Sequence, residues 1–428
     1  ATVGFGWHGC PRMIAQIELF YADGTSQVHG TQYNYWNVTC GPVLENTIYA
    51  GETYDAREEN PGWNLPNVEF KGRWMMVLPV PSPGGEMTPQ LINPIKPMLN
   101  IEPKTITMLN NGFYIVDIGQ NIAGWVKLKV KGNSGDKVVM RFAESLYEDG
   151  TVNQENLRDF FATDTYILKG DGEEVWEPRF TYHGFRYVQV EGYPGELKHD
   201  DITARVVRSS VKNAGEFNCS SKILNDIHKI VWWTEQNNYH SIPTDCPQRN
   251  ERMGWLNDLV ARAEEALFNF DLSRFMSKWI YDIRDSQDMR TGGVPLTAPR
   301  GWLGATDPTE PVTVSYLEIA WLLYTHYGDK RTLENVYTGL QKWLEKMEQQ
   351  SKDHIIYEAP VADWAPPIDY VVPNTLSGAP PEVMATGFYY YGAKLLTRIS
   401  TLLGKSEDSK KYAAITDEIG NAFNKKFW

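Results

Sequence analysis

The period of the hydrophobic pattern changes once along this chain, and that change limits the fold more than any other feature. Up to about position 210, apolar residues alternate with polar ones, the spacing of half-buried strands. IAQIELFYADGTSQVHG carries Asp23-Gly24 where a hairpin turn belongs, WVKLKVKGNSGDKVVMRFAE turns at 132–135, and FRYVQVEG follows WEPRFTYHG. After about Phe217 the spacing becomes helical. Ser220 or Ser221 stands at an N-cap position, ahead of a helix with Ile223, Leu224, Ile227, Ile230 and Val231 on one face. Further helices are predicted over 257–270, 272–287, 314–327, 332–349, 382–403 and 409–427, with Gly404 at a C-terminal cap. The proline-rich run 77–90 cannot donate regularly to a sheet and is read as a boundary. The expected architecture is therefore multidomain: a partial β-sandwich module over 1–85, a second β-sandwich over 86–210, and an all-α domain over 211–428. Helices without a partner sheet must close on themselves to cover both apolar faces, as a toroid of helix pairs does. With no initiating Met, and a last helix that runs to Trp428, both ends are expected to fall in mid-protein.

Composition removes several function classes. Asp and Glu number 54 against 41 Lys and Arg, a net charge of −13, and no basic cluster is present to track a phosphate backbone, so nucleic acid is not an expected partner. No apolar run is long enough to span a membrane. Cys10, Cys40, Cys219 and Cys246 are scattered without a CxxC pair, which argues against a metal cluster and against a disulfide framework. Aromatic residues make up 13% of the chain, which suits stacking on the flat C–H faces of sugars, although core packing is the commoner use of any single ring. Nothing in these features chooses between a cytoplasmic and a periplasmic or secreted location, or fixes an oligomeric state.

Chemistry concentrates in SIPTDCPQRNERMGWLND, which starts at Ser241 between two predicted helices. It holds the carboxylates Asp245, Glu251 and Asp258, the arginines Arg249 and Arg252, and the indole of Trp255, on a segment stiffened by Pro243 and Pro247. Glycosidic bonds are cut by two carboxyl groups, one of which must stay protonated near neutral pH. Neighbouring carboxylates and an apolar ring favour the protonated form, and arginines oppose it. A salt-bridged helix connection would bring the same groups together, and spacing alone leaves the two readings level.

The segment DCPQRNERMGWLND resembles the signature of bacterial α-L-rhamnosidases of glycoside hydrolase family 78. The resemblance extends over nearly the whole chain: YADGTSQVHGTQYNYW and IYAGETYDAREENPGW in the first module, then VDIGQNIAGWVKLKVKGNSGD, RFAESLYEDGTVNQENLR, TDTYILKGDGEEVWEP and FTYHGFRYVQVEGYPG in the second. It implies that 211–428 is the first part of an (α/α)6 barrel, incomplete because seven helices are predicted where the family has twelve. It implies hydrolysis of terminal α-L-rhamnosyl residues with inversion. Glu251 falls on the general acid, Asp245 and Asp258 on sugar-binding carboxylates, and Trp255 on the pocket wall. Arg249 matches a position that contacts the sugar or holds the acid. Trp302 and Trp364 resemble rings lining the same pocket, with Asp363 as polar support. The general base is expected beyond Trp428, and the stretch alone is expected to be inactive or poorly folded. No cofactor is required for this chemistry. Some family members bind rhamnose through an N-terminal β-domain with calcium, for which Glu52, Asp55 and Glu58 offer oxygen ligands; an ion pair with Arg57 is the favoured alternative. A rhamnose-binding module without catalysis, and an (α/α)6 glycosidase or phosphorylase acting on another deoxysugar, are the competing functions. Two departures from the family stand out: Asn250, where many relatives have aspartate, removes a negative charge beside Glu251, and Arg262, Glu264 and Glu265 occupy positions that are more often apolar. The second is read as a solvated helix face.

Overall fold

In a computed structural model of the chain, the described residues are 12–32, 35–66, 74–81, 84, 88–301, 304–359, 361, 363 and 378–428. They fall into two units. The first comprises Ala1–Pro89, Pro97–Val207 and Pro247–Asn250 and is rich in strands; the second comprises Gln90–Lys96, Arg208–Cys246 and Glu251–Trp428 and is helical.

The β unit opens with the hairpin of β1 (Gln16–Phe20) and β2 (Ser26–Gly30). Its turn is the one expected at Asp23-Gly24: Gly24 takes φ +84°, and Asp23 Oδ1 accepts the Thr25 N–H at 2.9 Å. There follow β3 (Asn37–Val38), β4 (Val43–Thr47), β5 (Gly51–Asp55), β6 (Met75–Met76), β7 (Ile95–Ile101), β8 (Thr105–Met108), β9 (Tyr114–Lys131), β10 (Lys137–Ala143), β11 (Ser145–Leu146), β12 (Val152–Asn153), β13 (Thr163–Ile167), β14 (Glu173–Trp176), β15 (His183–Glu191) and β16 (Ile202–Ser209). One large sheet runs in the order β4-β5-β13-β10-β15-β9-β16-β7, with β8 and β14 also paired to β9. Alternation places Val116, Ile122, Val126 and Leu128 of β9 out of solvent, with Phe142 and Phe185 from the neighbouring strands. The edge strand β4 and its neighbour β5 come from the stretch expected to form the first module, yet they extend the sheet built by the second; β5 pairs with β13 in parallel.

A buried polar cluster fastens that edge. Gly51 (φ +114°) brings the backbone so close to β13 that a Cβ there would lie 2.1 Å from the Thr163 carbonyl oxygen. The Glu52 N–H then donates to Asp164 Oδ1 at 3.0 Å, an oxygen that also faces His183 Nε2 at 3.1 Å. The Glu52 carboxylate accepts from Asn46 Nδ2 at 2.9 Å and from the backbone N–H groups of Arg179 and Phe180. Asp164 and His183 are fully buried. Burial first, and the Asp164 charge second, push the Glu52 carboxyl up to about 7 from its ordinary 4.5.

In the helical unit, β17 (Lys212–Asn213) pairs with β18 (Phe270–Asp271), and the helices are α1 (Lys222–Asn237), α2 (Leu256–Val260), α3 (Ala263–Asn269), α4 (Ser273–Ser286), α5 (Ser315–Tyr327), α6 (Lys330–Gln350), α7 (Pro381–Leu402) and α8 (Ser406–Phe427). Hairpins are closed by left-handed glycines: Gly328 (φ +68°) after α5 and, as expected, Gly404 (φ +72°) after α7. Much of the aromatic content fills this core, where Trp279, Trp343, Tyr239, Tyr316, Tyr389 and Tyr412 are the largest buried side chains. Trp343 seats against Gly392 of α7, where any Cβ would lie 2.3 Å from the indole.

Two helical expectations are corrected. The single helix over 257–270 is two, because Arg262 leaves the helical region (φ −136°, ψ −2°) to reach a buried partner on α1. In α1, Ser221 occupies the N-cap without a side-chain bond; Asn225 instead secures Cys219 through the Cys219 N–H at 2.9 Å and the Cys219 carbonyl at 2.8 Å. The apolar face of α1 is not core either. Ile223, Leu224, Ile227 and Ile230 are exposed, and the buried residues of α1 are Glu235, Gln236 and Asn237.

The Glu52 cluster makes stability depend on pH. The folded-state pKa lies above the unfolded one, so the contribution of Glu52 is fully present below pH 4.5 and is lost as pH rises through 7. Glu52→Gln should remove that fall, leaving the variant more stable than the wild type near pH 8 by on the order of a few kcal/mol. Urea midpoints of both proteins at about pH 5 and pH 8 measure this; parallel pH dependences would contradict it.

Candidate active site

The segment with the clustered carboxylates begins where α1 ends. Thr244 turns back on Asn238, its N–H and Oγ1 both donating to the Asn238 carbonyl at 2.8 and 3.2 Å. Asp245 then meets Met253 twice: the Asp245 N–H donates to the Met253 carbonyl at 3.0 Å, and the Met253 N–H donates to Asp245 Oδ1 at 2.8 Å. This clasp returns the chain on itself across the intervening residues. One of those, Arg252, is 5% exposed and sits at φ +56°, a strained position for a side chain with a Cβ. Beyond the clasp the chain runs as an extended segment. The Ala298 N–H donates to the Gly254 carbonyl and the Leu256 N–H to the Leu296 carbonyl, both at 2.9 Å, while Trp279 Nε1 holds the Ala298 carbonyl at 2.7 Å.

The clasp brings carboxylates together. One oxygen each of Asp245 and Glu251, and the Cys246 sulfur, all lie within 4.8 Å of one another. Asp245 and Glu251 are half-buried, Cys246 is buried, and Glu251 Oε2 itself is out of solvent. Among the described residues this is the group whose donor spacing suits a metal ion. An ion there would use the Glu251 carboxylate and compete with any role as a proton donor. Glu52, Asp55 and Glu58 form no such group. Asp55 is held bidentately by Arg57, with Nε at 2.9 Å and the terminal nitrogen at 2.7 Å.

Trp255 is the residue before α2 and Asp258 lies within it; both are half-buried in the helical unit. Arg249 is half-buried and belongs to Pro247–Asn250, the short stretch that packs as part of the β unit. There Gln248 Nε2 donates to Glu144 at 3.0 Å, and Asn250 Nδ2 to Asp159 at 3.1 Å. Asn250 thus spends its amide on a carboxylate, which an aspartate in its place would repel. Asp363 is tied to the stretch just before α7, its Oδ2 accepting the Ala379 N–H at 2.8 Å. Trp302 and Trp364 lie outside the described residues.

Some polar groups escaped the sequence reading. Arg262 is not on a solvated face: it pairs with Glu235, whose side chain is 3% exposed, at 2.6 Å. Glu310 and Glu318 sit in the helical unit with carboxyls that burial pushes up to about 7; Glu310 accepts the Val361 N–H, and Glu318 accepts from Tyr391 at 3.3 Å. Neither stands in a motif, and their burial follows from packing between distant segments.

The bacterial alpha-L-rhamnosidase 6 hairpin glycosidase domain matches residues 212–428, the concanavalin-like domain of the same enzymes matches 107–208, and the alpha-L-rhamnosidase N-terminal domain matches 3–98. This chain belongs to the bacterial α-L-rhamnosidase family. An α-L-rhamnosidase of Streptomyces avermitilis is 35% identical over 96% of the chain and 39% of its own length, and one from Formosa agariphila is 31% identical over 100% and 47%. Among solved structures, the α-L-rhamnosidase from Dictyoglumus thermophilum superposes with a TM-score of 0.90 at 41% identity, over 97% of this chain and 46% of that one. The Streptomyces avermitilis enzyme, solved as a complex with L-rhamnose, superposes with a TM-score of 0.87 at 34% identity, over 97% and 39%. The chain therefore spans less than half the length of these family members. No helix among the described residues is long and apolar enough to cross a membrane.

In this family member the extended segment after the clasp has no room for a side chain at Gly254, where a Cβ would lie 2.4 Å from the Ala298 carbonyl oxygen and 2.8 Å from Trp279 Nε1. Gly254→Ala should destabilise the helical unit by roughly 1–3 kcal/mol, seen as a lowered melting temperature. A variant melting with the wild type would show that the contact is not tight.

Proposed function

We propose that this chain is part of an inverting α-L-rhamnosidase that removes terminal α-L-rhamnosyl residues from rhamnosides, with Glu251 as the general acid. The observation that supports it best is the close approach of Asp245, held by Met253, to Glu251, in a member of a family whose names, and one relative's complex, point to L-rhamnose. The separation of their oxygens matters. An inverting pair stands about 6.5–9.5 Å apart to admit water, and a retaining pair about 5–5.5 Å. One oxygen each of Asp245 and Glu251 lies within 4.8 Å of the other, nearer than the spacing of an inverting pair. Asp245 is accordingly assigned to supporting the acid and binding sugar hydroxyls, and the base to a different carboxylate of the enzyme.

Asp258 and Trp255 are assigned to sugar binding, the carboxylate to hydroxyls and the indole to the apolar face of the ring. Arg249, Asp363, Trp302 and Trp364 are assigned to the same pocket. The helical unit is read as the first part of an (α/α)6 barrel, and the β unit as two β-sandwich modules. In the complete enzyme, Glu251→Gln should lower the hydrolysis of an aryl α-L-rhamnoside by at least about 10²-fold, with L-rhamnose still bound. Retention of more than about a tenth of wild-type turnover by that variant would assign the proton to another residue.

A further inference from the structure

Between α1 and α3 lies a buried ionic arrangement for which the chemistry above has no use. Glu235, in the last turn of α1, is 2% exposed. Its Oε1 accepts from Arg262 at 2.6 Å and its Oε2 accepts from the Tyr239 hydroxyl at 2.6 Å. Tyr239 is wholly buried, its ring set edge-on against Phe270 and Phe275 at 5.4 and 5.1 Å. Burial alone would weaken the hold of Arg262 on its charge; the carboxylate of Glu235 more than offsets it, and Asp258 adds to the same field.

The pair joins residues 27 apart, and the stretch between them contains Asp245, Cys246, Glu251, Trp255 and Asp258. The helix ends at Val260 and resumes at Ala263, and Arg262, which pairs with Glu235, stands at the break. A buried ion pair is a weak source of stability, since apolar side chains of the same size often do as well, but it fixes one geometry among several. We propose that Arg262 is a positioning residue for the sugar site: its pairing with Glu235 and Tyr239 clamps the two ends of the catalytic segment and sets the place of Asp258.

The inference rests on the rhamnosidase reading only for its sugar-binding readout, so the test uses two. Removing Arg262 alone would strand a buried carboxylate and risk unfolding. The variant is therefore Glu235→Gln with Arg262→Met, compared in the complete enzyme with the wild type and with Arg262→Lys. In the double variant the fold should be kept by near-ultraviolet circular dichroism, while amide exchange at Asp245 and Met253 quickens and L-rhamnose affinity falls, each by about tenfold. Arg262→Lys, which keeps the charge and loses the fork, should recover part of both. Unchanged exchange at Asp245 and Met253 in a folded double variant overturns the clamp. Should the double variant not fold, Arg262→Lys decides alone: exchange equal to the wild type with weakened affinity, or the reverse, overturns a role exerted through the segment. A complete wild-type enzyme that does not bind L-rhamnose counts against the proposed function, and the exchange readout still decides the clamp.

Discussion

The two hydrogen bonds between Asp245 and Met253 are the constraint on which the candidate site depends. They use both backbone groups of the returning chain, one of them through a side chain whose type matters, because only a short acceptor reaches the Met253 N–H while its own amide is committed to the Met253 carbonyl. Loop backbone this deeply buried needs such partners for each polar group. With the clasp in place the next three residues have little freedom: Gly254 lies against Ala298 and Trp279, Trp255 opposes Thr297, and Leu256 starts α2 fully buried. Asp258 is then presented from a short helix whose origin is fixed. The strain at Arg252 fits the same picture, since an unfavourable backbone conformation persists only where its surroundings over-determine it.

Chemistry follows from what the clasp puts together. A carboxyl group that gives a proton to a leaving oxygen needs a site shielded from bulk water and a direction fixed before the sugar arrives. A half-buried Glu251 with one oxygen out of solvent, next to a second carboxylate and a buried thiol, meets the first need. The clamp inferred at Glu235 and Arg262 addresses the second. Buried polar networks of this kind specify a conformation more than they stabilise it, which suits a segment that must hold several side chains in register.

How much of this was legible beforehand depended on whether the cause was local. The Asp23-Gly24 turn, the glycine after α7 and the change from strands to helices near 217 were readable because each rests on a residue's own conformational preference. The clustering of Asp245 and Glu251 was anticipated from the motif, but not the means: nothing in DCPQRNERMGW says that Met253 is the hydrogen-bond partner. Non-local causes were invisible. The helix break at Arg262 needs a buried Glu235 on another helix, and the attachment of β4 and β5 to the large sheet needs Asp164 and the close approach at Gly51. The amphipathic pattern of α1 is legible as one apolar face, but its exposure is not, since periodicity reports that a face is apolar without naming what covers it. Asn250 shows the same limit, its amide being taken by Asp159 rather than left beside Glu251.

The most direct test is a high-resolution structure of the complete enzyme with L-rhamnose bound. The account predicts the anomeric oxygen within about 3 Å of the Glu251 carboxyl, the ring against Trp255, and hydroxyls held by Asp245 and Asp258. Rhamnose seated away from these residues, or a Glu251 carboxyl turned from the anomeric centre into a permanent ion pair, would contradict it.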